Sequence, residues 1–386
     1  MPKDFLFTSE SVNEGHPDKV CDQVADALLD SLIAQDPGSR VAVECMVSTG
    51  TVHVAGEVTT RGFADVQKIA RGVLRDVGYV NPEFGIDWQD AGVWVSLHEQ
   101  SSEIATGVGA EGGIARGAGD QGIMFGFACD ETPELMPLPI MLAHRLCMRM
   151  AEVRRQRLIP DLGPDGKSQV TVEYRDGRPN RVACVVIAQQ HGKSLVESRL
   201  RREMIEQVIR PVCGGLFDDG TRTYINAAGT FTLGGPEADT GVTGRKTVSD
   251  TYGGMARNGG GAISGKDPTK VDRSGAYVAR WIAKNLVAAG LARRCEIQLA
   301  YVIGESSPAS IFIDTFGTGC REEAELEALV RRRFPLEPAA IIQELDLNRP
   351  IYRGTAAFGH FGRPGAEFTW EHTDRAESLA AEAGRA

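Results

Sequence analysis

The sequence predicts an α/β protein of the α+β kind, built from three weakly similar repeats of mostly antiparallel sheet with helices on one face. Two observations carry this reading. An order of helix, strand pair and second helix recurs three times, and glycine-rich segments recur in register with it.

In the first pass, Val20, Val24, Leu28 and Leu32 repeat every fourth position between Asp18 and Gln35, and Pro37-Gly38 ends the segment, which predicts an amphipathic helix. Val41, Val43, Cys45 and Val47 then alternate with polar or small residues, Thr49-Gly50 breaks the run, and alternation resumes from Val52 to Val58. This pattern is that of a β-hairpin. A helix through Val66, Ile69, Val73 and Val77 follows, and then a strand at Val93, Val95 and Leu97.

The second pass has a helix from about Leu138 to Arg157, strands at 169–174 and 182–190, a helix through Val196, Leu200, Met204 and Val208, and a short strand near Tyr224. The third has a helix carrying Tyr277, Trp281 and Leu286, strands at 297–303 and 311–316, and a helix starting near Arg321. Sheets covered by helices on one face leave the other face free to meet a second subunit.

Composition narrows the function. A net charge of −10 argues against a surface made for nucleic acid or anionic lipid, so a phosphate site has to be a local basic pocket. Cys21, Cys45, Cys129, Cys147, Cys184, Cys213, Cys295 and Cys320 are scattered, with no Cys-x-x-Cys, as expected of reduced thiols in a cytoplasmic protein. No stretch approaches the roughly eighteen apolar residues that span a bilayer. The order of residues also lacks a hydrolase triad, a zinc signature or a dinucleotide fingerprint.

Three segments can carry chemistry. Gly15-His16-Pro17-Asp18-Lys19 opens the first helix, where His16 and Asp18 sit at the mouth and Pro17 and Asp18 are also ordinary helix-start residues. The segment from Gly259 to Asp272 has small residues that let backbone amides approach an anion and two lysines, Lys266 and Lys270, that supply charge. It lacks the Walker spacing, and a solvated surface loop is the competing reading. From Gly234 to Lys246, Asp239, Arg245 and Lys246 stand among glycines, a density of both signs that suits ribose and phosphate recognition. Asp18, Asp120, Asp272 and Glu44 are candidate oxygen ligands for hard cations, and the apolar neighbours of Glu44 predict that it is partly buried.

Together with Gly117-Ala118-Gly119-Asp120-Gln121-Gly122, these motifs resemble those of the methionine adenosyltransferase family, also called S-adenosylmethionine synthetase. The resemblance runs from Phe7-Thr8-Ser9-Glu10-Ser11 to Gly359-His360-Phe361-Gly362-Arg363. It implies three domains about a pseudo-threefold axis, over 4–102, 116–232 and 234–373, with a mobile loop at 101–117. It also implies a homotetramer of two dimers with active sites between subunits. The implied reaction is attack of the methionine sulfur on C5′ of ATP, followed by hydrolysis of the displaced triphosphate to pyrophosphate and phosphate.

By this resemblance His16, Asp165, Gly166, Lys167, Thr230, Phe231, Asp239, Arg245, Lys246, Ala262 and Lys266 line the ATP site, with Phe231 on the adenine. Of these, His16, Lys167, Arg245 and Lys266 are the catalytic candidates, His16 as an imidazole donor to the departing phosphate oxygen. Glu57, Gln100, Asp239 and Lys270 are implied methionine contacts, Asp18 and Asp272 the ligands of two Mg²⁺ ions, and Glu44 a ligand of one K⁺. Thr230 stands where the family commonly has Arg, and Gly166 where it has Ala, and neither change removes an essential charge. Two other readings compete: a nucleotide-binding paralogue that has lost turnover, and an unrelated ATP-dependent phosphotransferase. Loss of His16, Lys266 or a metal carboxylate would favour the first, and none is lost.

Overall fold

A computed structural model of the chain describes residues 3–99 and 117–384. Eleven strands are described: β1 (Phe5–Val12), β2 (Arg40–Ser48), β3 (Thr51–Thr59), β4 (Gly92–His98), β5 (Gly122–Cys129), β6 (Leu162–Arg175), β7 (Arg178–His191), β8 (Arg222–Ile225), β9 (Gly241–Val242), β10 (Arg294–Tyr301) and β11 (Ser310–Asp314). The main helices are α1 (Pro17–Ile33), α2 (Val66–Val77), α3 (Leu138–Arg155), α4 (Glu197–Met204), α5 (Val271–Ala288) and α6 (Glu323–Arg333).

The strands form three sheets, ordered β4-β3-β2-β9, β1-β6-β7-β8 and β11-β10-β5. Pairing is antiparallel except for β3 with β4 and β7 with β8. The sheets do not follow the chain in contiguous blocks. The first strand joins the sheet of β6, β5 joins that of β10, and β9 reaches back to β2.

Each sheet is backed by a long helix for a reason legible in its sequence. In α1 the four-residue apolar repeat places Val20, Val24, Leu28 and Leu32 against β2, whose inward residues Val41, Val43, Cys45 and Val47 are buried with them. Each such aliphatic side chain contributes roughly 1.5–3 kcal/mol by leaving water, so the helix docks far more strongly than its own propensity would hold it. α3 covers β6 and β1, and α5 covers β5 and β10. The α5–β5 approach is very close: a Cβ on Gly126 would lie 2.0 Å from the carbonyl of Ala279.

Three of these strands, β1, β5 and the two-residue β9, were absent from the sequence reading. In β1 the inward positions continue from Phe5 and Phe7 into Ser9 and Ser11, so the apolar alternation stops halfway although both serines are buried. In β5 the run Ile123-Met124-Phe125-Gly126-Phe127 has no alternation at all, as expected for a strand covered on both faces over most of its length. Among the described residues no helix is long and apolar enough to cross a membrane, and all eight cysteines are free, seven of them buried.

Candidate active site

Strand β2 is covered by β3 on one edge, and its other edge receives two separate segments of the chain. β9 sits opposite Met46 and Val47, and Thr243 continues the contact, donating its N–H to Cys45 O at 3.0 Å while its Oγ1 accepts the Cys45 N–H at 2.9 Å. Farther along, Val43 N–H donates to Gly265 O at 2.9 Å and Asp267 N–H to Val41 O at 3.0 Å. The first segment leads straight into Arg245 and Lys246, and the second carries Lys266 and leads to Asp272. Backbone hydrogen bonds to one strand thus bring two cationic segments, about twenty residues apart in sequence, to the same place.

The start of α1 completes this arrangement. His16 is its N-cap, with Nδ1 accepting the Asp18 N–H at 3.1 Å, which leaves the ring proton on Nε2. Burial, with the charges of Lys246 and Lys167 behind it, lowers His16 to about 3, so the ring is a neutral donor. Its backbone turn is fixed by Tyr79 Oη donating to Gly15 O at 2.5 Å and by Gln23 Nε2 donating to Glu14 O at 2.6 Å. The Asp18 carboxylate accepts Val242 N–H at 2.9 Å and Lys246 Nζ at 2.5 Å, with Arg245 Nε at 3.6 Å. Burial pushes this carboxyl up, and the Lys246 and Val242 bonds outweigh it and hold it below the usual carboxylate range.

Asp18 begins a stripe that the sequence reading missed. Asp18, Asp22, Asp26 and Asp30 recur every fourth residue on one face of α1, and each accepts a backbone N–H from another segment of the chain. Asp22 takes Gly244 at 2.9 Å, Asp26 takes Gly265 at 2.7 Å, and Asp30 takes Tyr352 at 2.9 Å and Arg353 at 2.8 Å. The buried Lys19 ties Asp22 at 2.7 Å to Asp250 at 2.5 Å, bracketing the segment that holds Arg245 and Lys246. Like charges four apart destabilise an isolated helix, so such a stripe is a sequence-level sign that partners arrive from elsewhere.

Lys266 and Asp272 form the second half, with Nζ to Oδ2 at 2.5 Å. Gly261 lies so close that a Cβ there would fall 2.1 Å from Asp272 Oδ1, and Gly122 also faces that oxygen. Ala262 abuts Gly244, joining this half to the first. Lys266, Ala262, Thr243 and Ser264 share a cleft of about 400 Å³ with Glu44, Glu57 and His98, and Glu57 Oε1 stands 3.4 Å from His98 Nε2.

On the far side of His16, Asp165 is buried, with Oδ2 accepting Gly235 N–H at 2.9 Å and Oδ1 without a hydrogen-bond partner among the described residues. Burial pushes its carboxyl up to about 6. Gly166 O accepts Asn13 N–H at 2.8 Å, and a Cβ on Gly166 would lie 2.6 Å from Asn13 Nδ2, so Ala would not fit here unless Asn13 moved. Lys167 is exposed beside it. Phe231 is held by His191, whose N–H donates to Phe231 O at 2.9 Å, and its ring edge packs on Gly234. Thr230 and Asp239 are exposed at the rim.

The structure departs from the sequence reading at Glu44, which is exposed because strand alternation turns it to the face opposite Val43 and Cys45. Lys270 pairs with the buried Asp267, whose Oδ2 also accepts Val41 N–H at 2.7 Å. Asp120 is exposed and turns its Oδ1 onto the N–H of Gln121 at 2.7 Å. Gln100 and positions 101–116 of the expected mobile loop lie outside the described residues. No group of three or more His, Cys, Asp or Glu capable of caging a metal occurs among the described residues, so Asp18 and Asp272 stand as single carboxylates. That donor set fits Mg²⁺ held largely by substrate phosphates and does not fit an all-protein cage.

The chain is similar to known proteins along almost its whole length. Sequence models of the S-adenosylmethionine synthetase N-terminal, central and C-terminal domains match residues 4–102, 115–231 and 233–372. An S-adenosylmethionine synthase of Desulforudis audaxviator (strain MP104C) is 54% identical, the match covering 97% of this chain and 98% of the relative. One of Desulfosudis oleivorans (strain DSM 6200 / JCM 39069 / Hxd3) is 52% identical over the whole of both chains. With all three domain types matched in order, and two full-length relatives sharing more than half their residues with it, the chain belongs to the S-adenosylmethionine synthetase family.

Proposed function

We propose that this site forms S-adenosyl-L-methionine from L-methionine and ATP and then hydrolyses the triphosphate to pyrophosphate and phosphate. The observation that carries the reading is the double docking on β2, which brings Arg245, Lys246 and Lys266 toward one site with His16 and Asp18 at the adjoining helix start. A sulfur lone pair forms the S–C5′ bond as the C5′–O bond breaks, and the electron pair of that bond leaves on the triphosphate. A neutral thioether is a weak nucleophile, so the protein's contribution is alignment of the sulfur and stabilisation of the departing charge.

Lys167, Arg245, Lys246 and Lys266 neutralise the phosphates, and His16 Nε2–H donates to the oxygen on which charge grows. Asp165, Gly166, Thr230, Phe231 and Ala262 hold the nucleoside, Phe231 by stacking, and Asp239 reaches both substrates. Glu57, Gln100 and Lys270 complete the methionine site, with carboxylates for its ammonium group.

The family is metal-dependent. We assign Asp18 and Asp272 to two Mg²⁺ ions, which would supply electrostatic stabilisation of the triphosphate, and Glu44 to one K⁺ beside the cleft. Pairing of Asp18 with Lys246 and of Asp272 with Lys266 keeps each carboxylate oriented until the anion arrives.

We infer a homotetramer of two dimers, with active sites completed across the dimer contact. The outer face of β2, β3 and β4 supports this, since it leaves Met46 40% and Trp94 64% exposed beside the cleft that holds Glu44 and Glu57. The free thiols support a cytoplasmic setting.

Incubation with ATP and Mg²⁺, with and without methionine, tests the function. S-adenosylmethionine, pyrophosphate and phosphate should form only when methionine is present. A phosphorylated acceptor, or nucleotide binding without turnover, would overturn the reading.

A further inference from the structure

Gly265 is the residue that lets the Lys266 segment dock. Its φ of +82° favours glycine, and a Cβ there would lie 2.0 Å from Val43 O. Its N–H donates to Asp26 Oδ1 at 2.7 Å, and the same oxygen accepts Arg273 Nη2 at 2.6 Å. Both charged side chains are fully buried. Arg273 follows Asp272 directly in the first turn of α5, and it is held from its other sides by Tyr277 Oη, 3.1 Å from Nη1, and by the Tyr352 ring, 4.3 Å from the guanidinium carbon. One carboxylate oxygen of α1 therefore joins the turn before Lys266 to the helix start that carries Asp272.

We propose that Asp26 and Arg273 are positioning residues for adenosyl transfer, fixing Lys266 against Asp272 so that both reach the triphosphate in register. The proposal rests on the roles assigned above to Lys266 and Asp272. Neither Asp26 nor Arg273 is placed to touch substrate in this reading; they act through the backbone of Gly265 and the first turn of α5. A buried pair that loses one member leaves the other uncompensated. A displacement of about 1 Å at a charged group in such a site is enough to slow chemistry about a hundredfold.

The test is single-turnover formation of S-adenosylmethionine by the full-length assembled enzyme carrying Asp26→Asn, Arg273→Lys or Lys266→Met. Asp26→Asn keeps an acceptor for Gly265 but loses the charge facing Arg273, and Arg273→Lys keeps the charge but loses the planar fork, so it is the milder change.

A positioning role lowers the rate constant while the amplitude, which counts competent sites, is retained. We expect at least a tenfold fall for Asp26→Asn and at least threefold for Arg273→Lys. A fall in amplitude at an unchanged rate constant would mean that the pair only stabilises the fold, and would overturn the proposal. Should Asp26→Asn fail to fold, Arg273→Lys decides between the same outcomes. Full activity in Lys266→Met would overturn the site assignment itself, and the positioning role with it.

Discussion

Lys246 donates to the Asp18 carboxylate at 2.5 Å, so a residue assigned to phosphate and a residue assigned to magnesium neutralise each other. On this reading ATP binding is an exchange of partners: Lys246 turns from carboxylate to phosphate, and Asp18 would then be free to hold Mg²⁺. Lys246→Met should then have two opposite effects. The value of kcat/KM for ATP should fall about a hundredfold, the loss typical of one oriented charge donor. The Mg²⁺ concentration for half-maximal rate should also fall, because Asp18 no longer has a competing cation. Steady-state rates over a magnesium series check both, and a raised Mg²⁺ requirement would rule out the exchange.

His16 is predicted to act at the bond that breaks first. With Nδ1 engaged by the Asp18 N–H and the ring kept neutral by burial, its one available proton is on Nε2. A neutral donor aimed at the leaving oxygen stabilises the transition state more than bound ATP. His16→Asn should slow S-adenosylmethionine formation by about a hundredfold or more and slow hydrolysis of added triphosphate far less, since that step breaks a different bond. Single-turnover measurement of both steps decides it. Equal losses would assign His16 to general polyphosphate binding.

Much of the fold was legible because its helices and hairpins obey simple periods. The alternation of Val41 to Val47 and the four-residue repeat of Val20 to Leu32 both reappear as buried faces. β1 and β5 escaped because serines or continuous apolar runs hide the alternation, and β9 because two residues carry no period. The exchange of strands between sheets is a property of pairing across more than a hundred residues, which no local pattern encodes. At the site, charge and glycine content marked the right segments, but not which groups pair. Glu44 was misjudged as partly buried because apolar neighbours in a strand point to the opposite face. The stripe from Asp18 to Asp30 was visible in the sequence all along, in the same helix whose apolar stripe was read.

Glu44 shares its cleft with Lys266, Thr243 and Ser264 and is exposed to it, an arrangement suited to a weakly held monovalent ion. Glu44→Gln should abolish activation by KCl while leaving the potassium-free rate within about twofold. The comparison is a rate series over KCl at constant ionic strength, so that general screening does not imitate the effect. An unchanged potassium response in the variant would remove Glu44 from the assignment.

Asp165 should reveal itself by opposite effects on binding and stability. Burial raises its carboxyl from 3.8 to about 6, so the folded protein disfavours the charged form that nucleoside recognition uses. For a carboxyl raised on folding, the unfolded chain releases the proton first as pH rises. Stability is therefore fully present below about pH 4 and is lost progressively up to about pH 6, by an amount on the order of 3 kcal/mol. Asp165→Asn does not titrate. Whatever fixed offset its amide introduces, the melting temperature of the variant should gain on that of the unaltered protein by several degrees between pH 4 and pH 7, and then hold level. Its affinity for ATP should move the other way. The amide places a donor where Oδ1 offered an acceptor, so binding at pH 8 should weaken about tenfold or more, while the unaltered protein should itself lose affinity as pH falls below 6. Thermal melts and calorimetric titration across this range test the two halves independently. A melting difference that does not change with pH would mean that Asp165 is not held above the ordinary carboxylate range.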